Sequence, residues 1–166
     1  MNQDNTNVLD FAEGKPQLPS GLNVLTILTF IGCALGLIGS IWSFINAEKS
    51  YNDVIAAQDK IADAPAFVKS MMTPEMIEMS RKAMENKVPI LILGLVGVAL
   101  CFFGALQMRK LKKQGYMLWL VGEILPLGAS IFFVGFGMFS GFYLLLMLFP
   151  VAFIILYTTQ RKYLIY

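Results

Sequence analysis

The sequence predicts an all-α integral membrane protein: an up-and-down bundle of four transmembrane helices, the first two extended into an extracytoplasmic helical hairpin. Three observations lead there. Apolar residues make up 57% of the 166 residues, above the roughly 45–50% of an ordinary soluble domain. They gather into near-continuous stretches at residues 22–46, 88–107, 116–136 and 142–160. At about 1.5 Å per residue, each stretch matches a hydrocarbon core of about 30 Å. Of the 13 Lys and Arg and 11 Asp and Glu, only Glu123 falls within any of them, the distribution expected when charge is excluded from lipid.

The elements follow in chain order. Residues 1–21 are a polar tail carrying Asp4, Asp10, Glu13 and Lys15. The apolar run after it is longer than the roughly 7–15 residues of a signal-peptide core, so it reads as a retained span, with Pro19-Ser20 as its N-terminal punctuation. In the connection 47–87, Ala47, Tyr51, Val54, Gln58 and Ile61 recur at spacings of four and three, a seam that carries the first helix beyond the membrane. Pro65 ends that arm. Thr73-Pro74-Glu75 then supplies an N-cap, a proline at the first helical position and an acid in the first turn of a second arm. The face Met72, Met76, Met79, Ala83 gives this arm the same spacing, so the two should pack antiparallel with their tip near residues 63–73. Asn86 and Pro89 open the second span, Gly115 separates the second from the third, and the glycine-rich stretch 135–141 joins the third to the fourth. Residues 161–166 form a short tail.

Basic residues orient the bundle. Lys15, Arg161, Lys162 and the run Arg109, Lys110, Lys112, Lys113 nearly balance Lys49, Lys60, Lys69, Arg81, Lys82 and Lys87 of the long connection. Density breaks the tie, because bases crowded into a short connection resist translocation. Both termini are therefore expected in the cytoplasm, with the bundle in a plasma or inner membrane.

Several function classes fall away. A net charge of +2 is too slight to draw a polyanion, so no nucleic-acid partner is expected. Histidine is absent, which removes the commonest acid/base and metal ligand. Cys33 and Cys101 each stand alone in an apolar run and read as packing residues. With no GxSxG and no phosphate loop, no catalytic residue, metal or cofactor is expected, and the chain is read as a non-enzyme.

The most informative residue is Glu123. A carboxylate facing lipid costs a few kcal/mol, so this one should be protonated, paired, or turned toward water inside the bundle. Its expected depth matches Thr26 and Thr29 of the first span and Tyr157 of the fourth, and a long base from 109–113 could snorkel toward it. It is either a proton or cation site or a polar clamp between helices. Pro126, flanked by Gly122 and Gly128, predicts a kink in the third span. Gly32, Gly36 and Ser40 on the first span, and Gly97, Cys101 and Gly104 on the second, are small-residue stripes suited to close helix packing within the monomer. The methionine run Met71, Met72, Met76, Met79, Met84 has soft sulfurs for Cu(I), but no histidine or cysteine assists it and the hairpin seam claims the same positions. Met72, Met76 and Met79 are instead read as an adaptable protein-interaction face.

These features predict an accessory, scaffolding or regulatory subunit of a membrane assembly, its partners being the bilayer and either another membrane protein or a second copy of itself. The rival is a small, monomeric or dimeric, proton- or cation-coupled transporter or channel using Glu123.

Overall fold

The computed structural model describes residues 11–12, 15–16, 18–60, 65, 73–135 and 142–166. Among them the chain is all-α. Its five helices are α1 (Ser20–Asp59), α2 (Pro74–Glu85), α3 (Lys87–Arg109), α4 (Lys113–Phe133) and α5 (Phe142–Gln160), and a 3-10 turn over Arg161–Tyr163 follows the last. A two-residue antiparallel ladder precedes them, β1 (Phe11–Ala12) on β2 (Lys15–Pro16). Three helices, α1, α3 and α4, are long and apolar enough to cross a membrane. Met71, Met72, Ile61 and most of the expected hairpin tip lie outside the described residues, as does the connection 136–141.

With 40 residues, α1 is about 60 Å long, twice the hydrocarbon core. It runs from the membrane stretch into the outer arm without a break, because no glycine pair or proline interrupts residues 41–59. Pro19, rather than Ser20, occupies its N-cap, and no side chain caps it. Instead the Asn23 amide reaches the Pro19 carbonyl at 2.9 Å. Along the arm Ala47, Tyr51 and Val54 are half-buried, as the heptad spacing requires, while Gln58 is exposed and Ala57 takes the inward position.

The second arm, α2, starts where the sequence chemistry puts it. Thr73 has extended backbone, its Oγ accepts from the Met76 amide at 3.4 Å, and Pro74 stands at the first helical position. Glu75, Glu78, Arg81 and Glu85 are exposed, whereas Met76, Ile77, Met79, Ser80, Ala83 and Met84 are half-buried against α1. The outer face is laced by Lys82–Glu78 and Arg81–Glu85 pairs, both at 2.9 Å. Burial is the main term here, since such exposed pairs contribute little. Asn86 makes a one-residue break between α2 and α3, and its side-chain amide donates to the Lys82 carbonyl at 2.9 Å.

The break between α3 and α4 lies earlier than Gly115. Leu111, with φ of 57°, turns the chain, and α4 already begins at Lys113. Gly115 is free to enter the helix because its lack of a side chain is used for packing. At the far end α4 stops at Phe133, and Gly135, with φ of 104°, closes it in the left-handed conformation that favours glycine. Its amide reaches the Ile131 carbonyl at 3.0 Å.

Two adjacent spans, α3 and α4, form the tightest interface, glycine against backbone. A Cβ on Gly104 would lie 2.6 Å from the Trp119 nitrogen, one on Gly115 2.6 Å from the Met108 nitrogen, and one on Gly122 2.7 Å from the Cys101 nitrogen. These distances leave no room for any side chain. On α1, Gly36 and Ser40 face Val98 and Gly94 of α3 at ordinary to tight contact, but Gly32 faces open space.

The buried core sits toward the end of the bundle where α1 starts and the C-terminal segment ends. Leu22, Leu25 and Cys33 of α1 meet Cys101 and Met108 of α3, Tyr116 and Trp119 of α4, and Tyr157 of α5. The Trp119 and Tyr157 rings, each 1% exposed, meet tilted by 45°, 4.3 Å between centroids. Leu164 joins this core, and the tail after it is tied to the α3–α4 turn. The Ile165 and Tyr166 amides both donate to the Leu111 carbonyl, at 2.9 and 3.1 Å. Arg109, Lys110, Lys112, Lys113, Arg161 and Lys162 are all exposed around this same turn and tail. Outward along the bundle, Ile31, Leu35, Ile38, Ile41, Trp42 and Ile45 of α1 stand exposed. Such an unbroken apolar surface is far too large for water and suits lipid.

Candidate functional site

Glu123 lies ten residues into α4, about 15 Å along the helix from Lys113. Its carboxylate opens onto a cavity of about 290 Å³ lined by Thr29, Gly32 and Cys33 of α1, Gly97 and Cys101 of α3, Trp119, Gly122 and Pro126 of α4, and Phe149, Pro150 and Phe153 of α5. Gly32 leaves its side of the cavity bare, with nothing within 4 Å of a Cβ there, and Pro150 stands inside α5 on the opposite wall.

The closest polar partner of Glu123 is Cys101, whose Sγ donates to its Oε2 at 3.6 Å, with a second contact to the Trp119 carbonyl, also at 3.6 Å. A thiol is a weak donor, so the carboxylate is held loosely. Of the anticipated partners, Thr29 lines the cavity but binds Tyr157, hydroxyl to hydroxyl, at 2.7 Å. That bond is buried, and it fixes α1 to α5 beside the carboxylate. Thr26 turns back to its own helix, donating to the Asn23 carbonyl at 2.9 Å. No base reaches Glu123 among the described residues: Arg109 lies instead over the Phe30 ring, 6.0 Å from its centroid.

Pro126 is inside α4, which runs on through it to Phe133. Its ring seats directly on Gly97, so close that a Cβ there would fall 2.4 Å from it. The carbonyl of Pro126 accepts the Ser130 hydroxyl at 2.8 Å.

A second, larger opening of about 560 Å³ lies farther along the bundle, where α1 and α4 splay apart and the two arms begin. Its inner walls are Gly36, Gly39, Ile90, Leu91, Gly94, Pro126 and Ala129. Its outer walls are Ser43, Phe44, Ser50, Tyr51, Ser80 and Lys87. At its mouth Lys87 Nζ pairs with Glu48 Oε1 at 2.5 Å and sits 5.7 Å from the centroid of the Phe44 ring. The hydrogen bond from Lys87, and then its charge, hold the Glu48 carboxyl below the usual carboxylate range. Met76 and Met79 are half-buried on α2 above this opening.

The sequence singled out Glu123, Gly97 and Gly104, but not Cys101 as the carboxylate's donor, Pro150 as cavity wall, or Gly115 and Gly122 as packing residues. Gly115 and Gly122 are seven apart, as are Gly97 and Gly104, and a search for that shared spacing on consecutive spans would have found them. Comparison with protein-family models, curated proteins and solved structures finds no match for this chain.

Proposed function

We propose that this chain is a non-enzymatic multi-pass membrane protein, an accessory, scaffolding or regulatory subunit that engages a membrane partner through its projecting α1–α2 hairpin. In this reading α5 is a fourth span, both termini are cytoplasmic, and residues 47–87 lie outside the cytoplasm. The observation that supports it is the unbroken continuation of α1 past its membrane stretch to Asp59, with α2 folded back along it. A rigid arm of this kind costs ordering entropy and buries no large core of its own, α2 having no fully buried residue. Half-buried Met76 and Met79 would supply the adaptable contact.

The test is the mass of the intact particle, purified in mild detergent at native expression, with Met76→Asp combined with Met79→Asp as the probe. A stoichiometric partner, lost in that variant while its helical content stays intact, supports the reading. A particle that contains only this chain, unchanged by the variant, overturns it.

One observation favours a second reading, a proton- or cation-coupled transporter. Glu123 lines a cavity within the candidate spans, and a carboxylate in a membrane span is a reason to look for function. Proton flux into liposomes that depends on the protein and is abolished by Glu123→Gln would establish it, and flux unaffected by that change would remove it.

A further inference from the structure

We propose that the cleft between α1, α2, α3 and α4 is a binding site for one zwitterionic phospholipid. Its acyl chain would lie in the glycine-floored inner half, with its phosphate at Lys87 and its ammonium at Glu48. The volume, about 560 Å³, falls in the range of roughly 300–1,000 Å³ typical of small-molecule sites. Its chemistry changes along its length. The inner half, Gly36, Gly39, Gly94, Pro126 and Ala129 with the hydroxyls of Ser40 and Ser130, is mostly apolar, the Ser130 hydroxyl being tied to the Pro126 carbonyl, and belongs to the candidate spans of α1, α3 and α4. A slot open to hydrocarbon does not stay empty, because its walls would forfeit their dispersion contacts. The outer half carries the hydroxyls of Ser43, Ser50, Tyr51 and Ser80 with the Lys87 ammonium. Lys87 and Glu48 stand at the edge of the apolar stretches, where headgroups lie.

The headgroup class follows from the mouth. A lone lysine there would favour an anionic lipid. Here Glu48 is 68% exposed and paired with Lys87, itself 31% exposed, so the mouth presents both signs of charge and little net charge. A headgroup with a phosphate and a primary ammonium complements both. An anionic headgroup satisfies Lys87 alone and meets Glu48 as a like charge.

The experiment is native mass spectrometry of the full chain in mild detergent, titrated with phosphatidylethanolamine, phosphatidylglycerol and diacylglycerol of identical chains. The expected result is one retained phosphatidylethanolamine per chain, in about tenfold preference over the other two, the discrimination of one charge-assisted contact. Glu48→Gln should turn the preference toward phosphatidylglycerol, and Lys87→Gln should bring both phospholipids down to the diacylglycerol level. Gly39→Leu should abolish retention of all three with the helical spectrum unchanged, because nothing lies within 4 Å of a Cβ at Gly39. Gly128→Leu, at an equally open position away from the cleft, should leave retention as in the wild type. Equal retention of diacylglycerol, a wild-type preference for phosphatidylglycerol, or unchanged retention in Gly39→Leu overturns the proposal.

Discussion

Gly104→Ala is expected to destabilise the protein by about 2–3 kcal/mol, in the upper part of the range for overpacking. The added methyl would stand 2.6 Å from the Trp119 nitrogen, 2.7 Å from the Trp119 Cβ and 2.8 Å from the Gly115 carbonyl oxygen. Ordinary contact begins at 3.4 Å, so α3 and α4 must part by roughly 0.8 Å at that point, against steep repulsion. None of the obstructing atoms is the far end of a flexible side chain, so none can swing away. Parting also loosens Gly97 and Gly115, whose own neighbours lie 2.4 and 2.6 Å from their missing Cβ atoms. A bare helix-propensity account predicts the opposite sign, since alanine is favoured over glycine by about 1 kcal/mol in a helix. Gly39→Ala, with open space around it, isolates that propensity and should be neutral or stabilising. The assay is reversible denaturation of the purified protein in mixed detergent, followed by circular dichroism. A Gly104→Ala variant as stable as Gly39→Ala would refute the close-packing argument.

Three further outcomes follow from the structure. Tyr157→Phe leaves the buried Thr29 hydroxyl without the partner it has at 2.7 Å and should cost about 1–3 kcal/mol in the same denaturation assay, part of which Thr29→Val in the same chain should restore. Because Lys87 holds the Glu48 carboxyl below the usual carboxylate range, the pair supports the hairpin fully above the ordinary glutamate pKa of about 4.3. That support is lost as pH falls through the lower folded value. Hydrogen exchange of α2 amides, corrected for intrinsic rates, should rise through that window in the wild type and by less in Lys87→Gln, where Glu75 and Glu78, held low by Thr73 and Lys82, still titrate. Thr73→Ala removes the hydroxyl that accepts from the Met76 amide and should lower α2 protection by about 0.5–1 kcal/mol, with α3 unaffected beyond the break at Asn86.

The helical class and the apolar stretches were legible because lipid imposes a coarse rule: long runs without charge. The start of α2 was legible because Thr73-Pro74-Glu75 satisfies the backbone locally, with no help from tertiary contacts. The break between α3 and α4 was not, because glycine usually marks a turn. Gly115 instead serves the neighbouring helix, while Leu111, a residue with no turn signature, takes the positive φ. The pairing of Cys101 with Glu123 was equally hidden. It joins residues 22 positions apart, and which faces of two apolar helices meet depends on packing that a uniformly apolar pattern does not record. Gln58 is exposed although the helical spacing keeps it on the face of Ala47, Tyr51 and Val54, and nothing in the structure explains it.

Pro126 is the one residue that lines both openings among the described residues, and its ring is pinned on Gly97. The Glu123 cavity and the proposed lipid slot thus share one pyrrolidine ring. An occupant of either that displaced this ring would change the work of filling the other, and the effect would be reciprocal.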